Sequence, residues 1–407
     1  MNRFGYVVVN GQIPSQVLRN GAYRFAGAYA RFFQRLSGRP TLKTRYGRQS
    51  VLLTRELFRF TRDNADSPWM LTLGTVANPV GRLPFQADTA FTPPAMIYIA
   101  IDAGRWSLSF CNEVKGIEYT ETEVADWLKT HTANELADMT FGGDRGVVIP
   151  LAGNNGEMFD FSPSQKKHMD KAQRYQRKWQ RIAARRKLGS KNRAKANRRA
   201  ARYAKTRSNI RLDFAHQTSH QLVKSPYRLF VLEDLKIKNM TASAKGTVEQ
   251  PGKRVAQKAG LNKSILASGW GMIHRFLQYK ALRQHKLVIR VSPYQSSQEC
   301  SQCGCIDPDN RPKQALFVCQ VCGHTENADT NAGKVLAKRG IDALLTGKWQ
   351  PRKVKRVQVR RGGCSEVTPV EPVLAVADKS VLPRNGQRSR KVRESEVGQD
   401  TPTIAQD

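Results

Sequence analysis

Two Cys-x2-Cys pairs, Cys300/Cys303 and Cys319/Cys322, stand fifteen residues apart near the end of the chain. A Cys-x2-Cys turn presents two thiolates to one ion, and two such turns complete a tetrahedron at about 2.3 Å, the geometry of structural zinc. Paired knuckles at this spacing disfavour the redox and iron–sulfur alternatives. Gly323 directly after Cys322 relaxes the second turn, while Cys305 and His324 lie close by but are surplus to a closed four-ligand site. Three acids could do a second kind of chemistry. Metal-assisted phosphodiester hydrolysis needs several carboxylates converging on one point, because Mg2+ is held by a few Asp/Glu oxygens plus the substrate phosphate. Asp144 lies among Gly142, Gly143 and Gly146, Glu233 ends an apolar run, and Asp329 stands at an expected helix start. Spacing alone does not single these acids out, since any one could cap a helix or sit in a solvated loop.

The elements around them are legible in part. Tyr227 to Leu232 reads as a buried strand that would hold Glu233 rigidly, and Leu287 to Val291 as another, with helical periodicity between them through Trp270, Ile273, Leu277 and Leu282. That order argues for a mixed α/β sheet. Gly146 to Ala152 and Glu157 to Phe161 read as two strands about the turn Gly153-Asn154-Asn155-Gly156, with Asp144 where the first begins. Upstream, Met96 to Ile101 and Trp106 to Phe110 flank Asp102-Ala103-Gly104-Arg105, good hairpin chemistry. Tyr6 to Val9 is a short β-like run. Tyr23, Phe25, Tyr29, Phe32, Phe33 and Leu36 recur at helical spacing, which reads as a core face interleaved with Arg19, Arg24, Arg31 and Arg35.

Charge gives the class of partner. Of 407 residues, 68 are Lys or Arg and 33 Asp or Glu, a net +35 that a polyanion would offset, and nucleic acid is the usual polyanion. The excess is organised. Residues 164–211 hold 19 basic residues and one acid, Asp170, on two expected helices that break at Gly189-Ser190. Arg185, Arg186, Lys187, Arg198 and Arg199 there, with Arg311 ahead of the second knuckle, are the candidate nucleic-acid contacts. No apolar stretch approaches the ~20 residues that span a bilayer, and Met1 to Tyr6 lacks a signal-peptide core, so an intracellular, cytoplasmic protein with reduced thiols is expected.

The sequence around the three acids resembles the TnpB proteins of insertion sequences and, more distantly, the compact type V CRISPR effectors. The likeness runs from about Thr140 to Gly340. Gly143-Asp144-Arg145-Gly146-Val147 is similar to the family's first RuvC motif and Val231-Leu232-Glu233-Asp234-Leu235 to its second. Asn262-Lys263-Ser264-Ile265 and Gly269-Trp270-Gly271 follow in family order, then Ser296 to Gly304 opening a zinc ribbon, and Asn327-Ala328-Asp329-Thr330-Asn331-Ala332 as the third motif. Two residues depart from the pattern: Arg145 replaces a usually apolar residue, and Gly333 a usual alanine.

The resemblance implies an α/β RNase H-like (RuvC) nuclease domain at 138–298 and 324–346, with an inserted zinc ribbon at 299–323. It further implies an N-terminal β-barrel-like wedge domain at 1–12 and 76–137 and a small helical recognition domain at 13–75. A basic, largely disordered tail would occupy 347–407. Asp144, Glu233 and Asp329 would then be catalytic ligands of Mg2+, and the four paired cysteines would hold Zn2+. The implied partners are a guide RNA from the element's own flanking transcript and a target DNA cut beside a short flanking motif. A compact CRISPR effector, a nuclease-dead repressor and an unguided transposase are the competing readings.

Overall fold

A computed structural model describes residues 15–41, 49–64, 67–75, 79–87, 90–112, 119–244, 246, 250 and 252–351. The expected strand Tyr6 to Val9 and most of the expected tail lie outside them. The elements in chain order are α1 (Ser15–Phe33), β1 (Gln49–Thr54), β2 (Phe58–Thr61), β3 (Trp69–Gly74), β4 (Pro79–Phe85), β5 (Met96–Asp102) and β6 (Arg105–Ser109). Next come α2 (Glu121–Leu128), α3 (Ala133–Asp138), β7 (Thr140–Asp144), β8 (Leu151–Gly153), β9 (Met158–Phe159), α4 (Pro163–Ala184) and α5 (Lys191–Lys224). The last are β10 (Leu229–Glu233), α6 (Ile237–Met240), α7 (Val255–Ser268), α8 (Trp270–Leu282), β11 (Leu287–Val291), β12 (Leu316–Val318), β13 (Thr325–Asn327) and α9 (Ala328–Leu345).

The N-terminal part differs from the expected helical domain at 13–75. One helix, α1, is followed by strands from Gln49 onward. Sheets β1-β5-β6 and β2-β3-β4, both antiparallel, enclose Leu53, Leu57, Phe58, Leu71 and Ile97. Helix α1 joins them through buried Asn20, whose side chain donates to the Leu52 carbonyl at 3.2 Å. Its aromatics are not the core face that periodicity suggests, for Tyr23 and Phe33 are 67% and 74% exposed.

A five-stranded mixed sheet, β11-β10-β7-β8-β9, organises the remainder, with β11, β10 and β7 parallel and the last two strands antiparallel. Alternation along β10 divides its side chains between two cores. Phe230 and Leu232 join Phe141, Phe214, Leu222, Ile273 and Leu277 on the side of α5 and α8. Leu229 and Val231 join Val124, Leu128, Leu136, Leu336 and Leu344 on the side of α2, α3 and α9. Helices α2 and α3 therefore belong to this body, not to the β domain expected to extend through 137. Each starts with a capping box, Thr120 with Glu123 and Thr132 with Glu135.

Helices α4 and α5 pack as the expected basic hairpin. Gly189 and Ser190 break it, and Ser190 Oγ accepts from the Arg193 N–H at 3.2 Å. The Tyr175 and Tyr203 rings stack across it, and the Arg199 guanidinium lies 4.4 Å from the Trp179 ring. Lys205 reaches Asp102 at 3.1 Å, which docks α5 on the β5–β6 turn.

Candidate functional site

Residue parity places two of the acids. Phe141 and Gly143 face α5 and α8, so Gly142 and Asp144 face α9; Leu232 faces α8, so Glu233 faces α9. Both acids thus lie at the C-terminal ends of adjacent parallel strands, on the face that α9 covers. Asp144 ends its strand, contrary to the expectation that it begins one, and 145–150 form a loop instead of a strand. Strand β7 carries one large apolar residue, Phe141, and owes its register to parallel pairing with β10.

The third acid arrives on α9. Asn327 caps that helix, its side chain accepting from the N–H groups of Asp329 and Thr330 at 3.0 and 3.3 Å, which leaves Asp329 in the first turn. Asp144, Glu233 and Asp329 line one cleft of about 280 Å3 with Arg145, the loop 146–149, Pro293, Ser296, Ser297, Arg311 and Gln314. The Trp270 indole N–H bonds the Gly146 carbonyl at 3.0 Å and fixes the cleft loop from the start of α8.

Electrostatics single out this cluster. Burial, then repulsion from Asp329, pushes Asp144 up to about 6. Burial, then repulsion from Asp144, pushes Glu233 up to about 7. Buried like charges with raised pKa values in a cleft make this cluster the candidate functional site. Hard oxygen donors facing one cleft fit Mg2+, which keeps several waters and takes few protein ligands, although the three acids do not close to within 4.8 Å of one another as the cysteines below do.

The four paired cysteines form the second centre. Their sulfurs all lie within 4.8 Å of one another, with Cys300 to Cys322 at 3.7 Å and Cys303 to Cys319 at 3.6 Å. A tetrahedron with bonds of about 2.3 Å has edges of about 3.8 Å, so the donor set fits one zinc ion. The knuckles repeat one geometry. Gly304 and Gly323, each after the second cysteine of its pair, take φ of +77° and +71°, and their N–H groups bond the carbonyls of Cys300 and Cys319.

Two fully buried asparagines brace this centre, one of them joining it to the cleft, and the sequence reading gave neither a role of its own. Asn310 donates to the carbonyls of Gln298 and Cys305 and accepts from the Gln320 N–H, tying knuckle to knuckle. Asn331, two residues after Asp329, accepts from the Ser301 N–H at 2.9 Å and donates to the Glu299 carbonyl at 2.8 Å. Lys338 and Arg339 of α9 add bonds to the Ser301 carbonyl and the Glu299 carboxylate. For Asn331 the available signal was a polar residue between Ala328, Ala332 and Val335 on the start of an expected helix; Asn310, in a polar loop, offered none.

Of the candidate nucleic-acid contacts, Arg311 stands in the cleft, with Nη2 3.4 Å from Asp329 Oδ1. Arg185, Arg186, Lys187, Arg198 and Arg199 lie exposed on the α4–α5 hairpin and do not line the cleft.

This sheet, with acids at the ends of neighbouring strands and a third on the covering helix, defines a RuvC-like α/β nuclease fold. A Cas12f1–sgRNA–target DNA complex has a chain that shares this fold at a TM-score of 0.51 and 15% identity, covering 79% of this chain and 70% of that one. Residues 144–244 match the family described as "Probable transposase", and residues 270–336 the "Cas12f1-like, TNB domain". InsQ of Escherichia coli (strain K12), named as an RNA-guided DNA endonuclease, is 30% identical over 335 residues, 82% of this chain and 76% of InsQ. A Streptomyces pristinaespiralis protein named likewise is 25% identical over 339 residues, 83% of this chain and 74% of that protein. The chain belongs to the TnpB family, related to the type V effectors.

Proposed function

We propose that this protein is an RNA-guided, Mg2+-dependent DNA endonuclease of a transposable element, with Asp144, Glu233 and Asp329 as its metal-binding acids. The observation that carries the reading is their convergence, from three distant segments, on one cleft in a chain of net charge +35. Two divalent ions bound there would activate the attacking water and stabilise the leaving oxygen. The chain's own groups supply the placement. Strands β7 and β10 fix two acids, the Asn327 cap and the Asn331 anchor fix the third, and Arg311 holds a cation beside Asp329 that can meet a phosphate oxygen. Zinc at the four cysteines is structural and closes the ribbon, which α9 straps against the sheet.

Base pairing with a guide supplies sequence specificity, while the protein reads a short flanking motif and grips phosphates. The α4–α5 hairpin suits that grip, because cationic contacts with phosphates add up regardless of sequence. In this reading the double sheet around Leu57 and Ile97, with α1 beside it, takes the place of the wedge and recognition parts. The guide comes from the element's own flanking transcript.

The test is to purify the protein with that transcript co-expressed and compare RNA-bound and RNA-free protein on one matched target in Mg2+. Only the RNA-bound form should cut at the matched site, and Asp144→Ala, Glu233→Ala and Asp329→Ala should each abolish cutting while sparing binding. Equal site-specific cutting without RNA would remove the guide from the reading. Full activity in any single variant would remove that acid from the site.

A further inference from the structure

Around the cleft, two of three arginines have a carboxylate partner. Arg290 Nη1 lies 2.7 Å from Asp234 Oδ1, and Arg311 Nη2 lies 3.4 Å from Asp329 Oδ1. Arg145 is different. It is 7% exposed, donates through Nη2 to the backbone carbonyl of Glu233, and has a buried Nε without a partner. Among the described residues it makes no ion pair within 4.0 Å. Yet it lines the cleft, and its charge acts on Glu233, Asp144 and Asp234. A desolvated guanidinium with an unused donor is costly, and a nonpolar side chain of similar volume would fold at least as well. Its cost therefore points to a role in the cleft.

We propose that Arg145 is a fixed internal cation that weakens divalent-cation binding by Asp144 and Glu233, so that the cleft fills with metal when a substrate phosphate brings further negative charge. This rests on the carboxylate reading given above. Three carboxylates carry up to three negative charges, and Arg145 and Arg311 offset two of them before any ion enters. A phosphodiester restores one. Metal loading is thus coupled to the arrival of DNA, and the cleft stays poorly loaded without a strand in it. The sign of the effect separates this role from a structural one. A residue that merely positioned Glu233 would, when lost, weaken metal binding; a repelling charge, when lost, strengthens it.

Mn2+ titration of the full-length, zinc-loaded protein without nucleic acid, at pH 8.5 so that the acids are ionised and proton competition does not mask the effect of the charge, followed by electron paramagnetic resonance, tests the proposal. Arg145→Gln keeps an N–H donor and loses the charge, and should bind Mn2+ about tenfold more tightly, the scale for a unit charge near a divalent ion in a partly solvated site. Arg145→Lys keeps the charge and should bind as the parent does. Zinc content and Tm report on folding, and Arg145→Leu replaces Arg145→Gln if that variant does not fold. Equal or weaker Mn2+ binding by the charge-neutral variant overturns the proposal. Glu233→Ala in the same titration locates the failure. If it binds Mn2+ as the parent does, the carboxylate site itself is wrong and this proposal goes with it. If it loses the ion while Arg145→Gln gains no affinity, the fault lies with Arg145 alone.

Discussion

Gly333 is the position where a single methyl group should be most informative. Helix α9 approaches β7 so closely that a Cβ at Gly333 would lie 2.9 Å from both the Asn154 nitrogen and the Gly142 carbonyl oxygen. Those two atoms bond each other at 2.9 Å, so the methyl would wedge into a backbone hydrogen bond. From the other side, a Cβ at Gly142 would meet the Gly333 carbonyl at 2.0 Å. Backbone on both sides cannot turn away as a side chain can. Gly333→Ala gains about 1 kcal/mol of helix propensity. Overpacking costs about 1–3 kcal/mol, and backbone on both sides puts this site at the upper end, leaving a net loss of about 2 kcal/mol. For a body of this size that lowers Tm by roughly 4–8 °C. The cleft should suffer more than the fold, because Asp329 sits one turn earlier on the same face of α9, and displacements of this kind cost about 100-fold per ångström. Differential scanning calorimetry alongside single-turnover cleavage measures both. Alanine is the usual family residue here, so the substitution tests whether this chain's α9 has settled closer to β7. A Gly333→Ala variant with unchanged or raised Tm and full activity would refute that close packing.

Proton competition should govern metal demand. With Asp144 at about 6 and Glu233 at about 7, both must ionise to bind Mg2+, and half-saturating Mg2+ should rise about 20-fold from pH 8 to pH 6. A flat Mg2+ requirement across that range would contradict it. In metal-free protein the folded state binds these protons more tightly than the unfolded chain. Their contribution to stability is therefore full below about pH 4 and is lost as pH rises to about 7, by up to about 3 kcal/mol for each acid; denaturant titrations at pH 5 and 7.5 read the sign. Cys319→Ser should lower zinc content and soluble yield together, since a closed thiolate site contributes directly to folding; elemental analysis showing no zinc in the parent would end that claim. Asn331→Ala, which leaves the Ser301 N–H and Glu299 carbonyl unpaired, should cost about 2–4 kcal/mol and reduce cleavage with zinc still bound; loss of zinc with normal cleavage would show that the anchor serves the ribbon alone.

What the sequence disclosed depended on how locally each feature is determined. Knuckle chemistry lies within a few residues, so the four cysteines were legible from spacing. Strand β10 is a continuous apolar run, buried on both faces, and its acid was placed with it. Strand β7 is Thr-Phe-Gly-Gly-Asp, a strand because of what lies beside it, so Asp144 was set at the wrong end of its element. Of the glycines beside Asp144, only Gly142 serves the approach of α9; Gly143 packs against Phe141, Leu151 and Leu232 on the opposite face, and Gly146 against the Ile149 backbone of its own loop. The hairpin at 96–110 and the Pro and Gly between 79 and 94 make 76–137 read as β-rich, which carries α2 and α3 into the β domain. Their Thr-x-x-Glu caps, followed by Val124, Leu128 and Leu136, were visible in the sequence and would have moved that boundary. On α1 the periodicity was real, but the face it marks remains largely exposed.

Helix α9, the last among the described residues, has a bearing on timing. Strands β7, β10 and β11 leave the ribosome long before α9, which brings both Asp329 and the apolar face that covers the sheet. Until residue 345 has emerged, Leu229, Val231, Leu287 and Ile289 lack Leu336, Ile341 and Leu344 as their cover. A nascent or prematurely ended chain thus carries the cationic hairpin of α4 and α5 but only two of the three acids. Such a chain is a sticky, uncovered intermediate without an assembled cleft, so under the function proposed above competence to cut waits for α9.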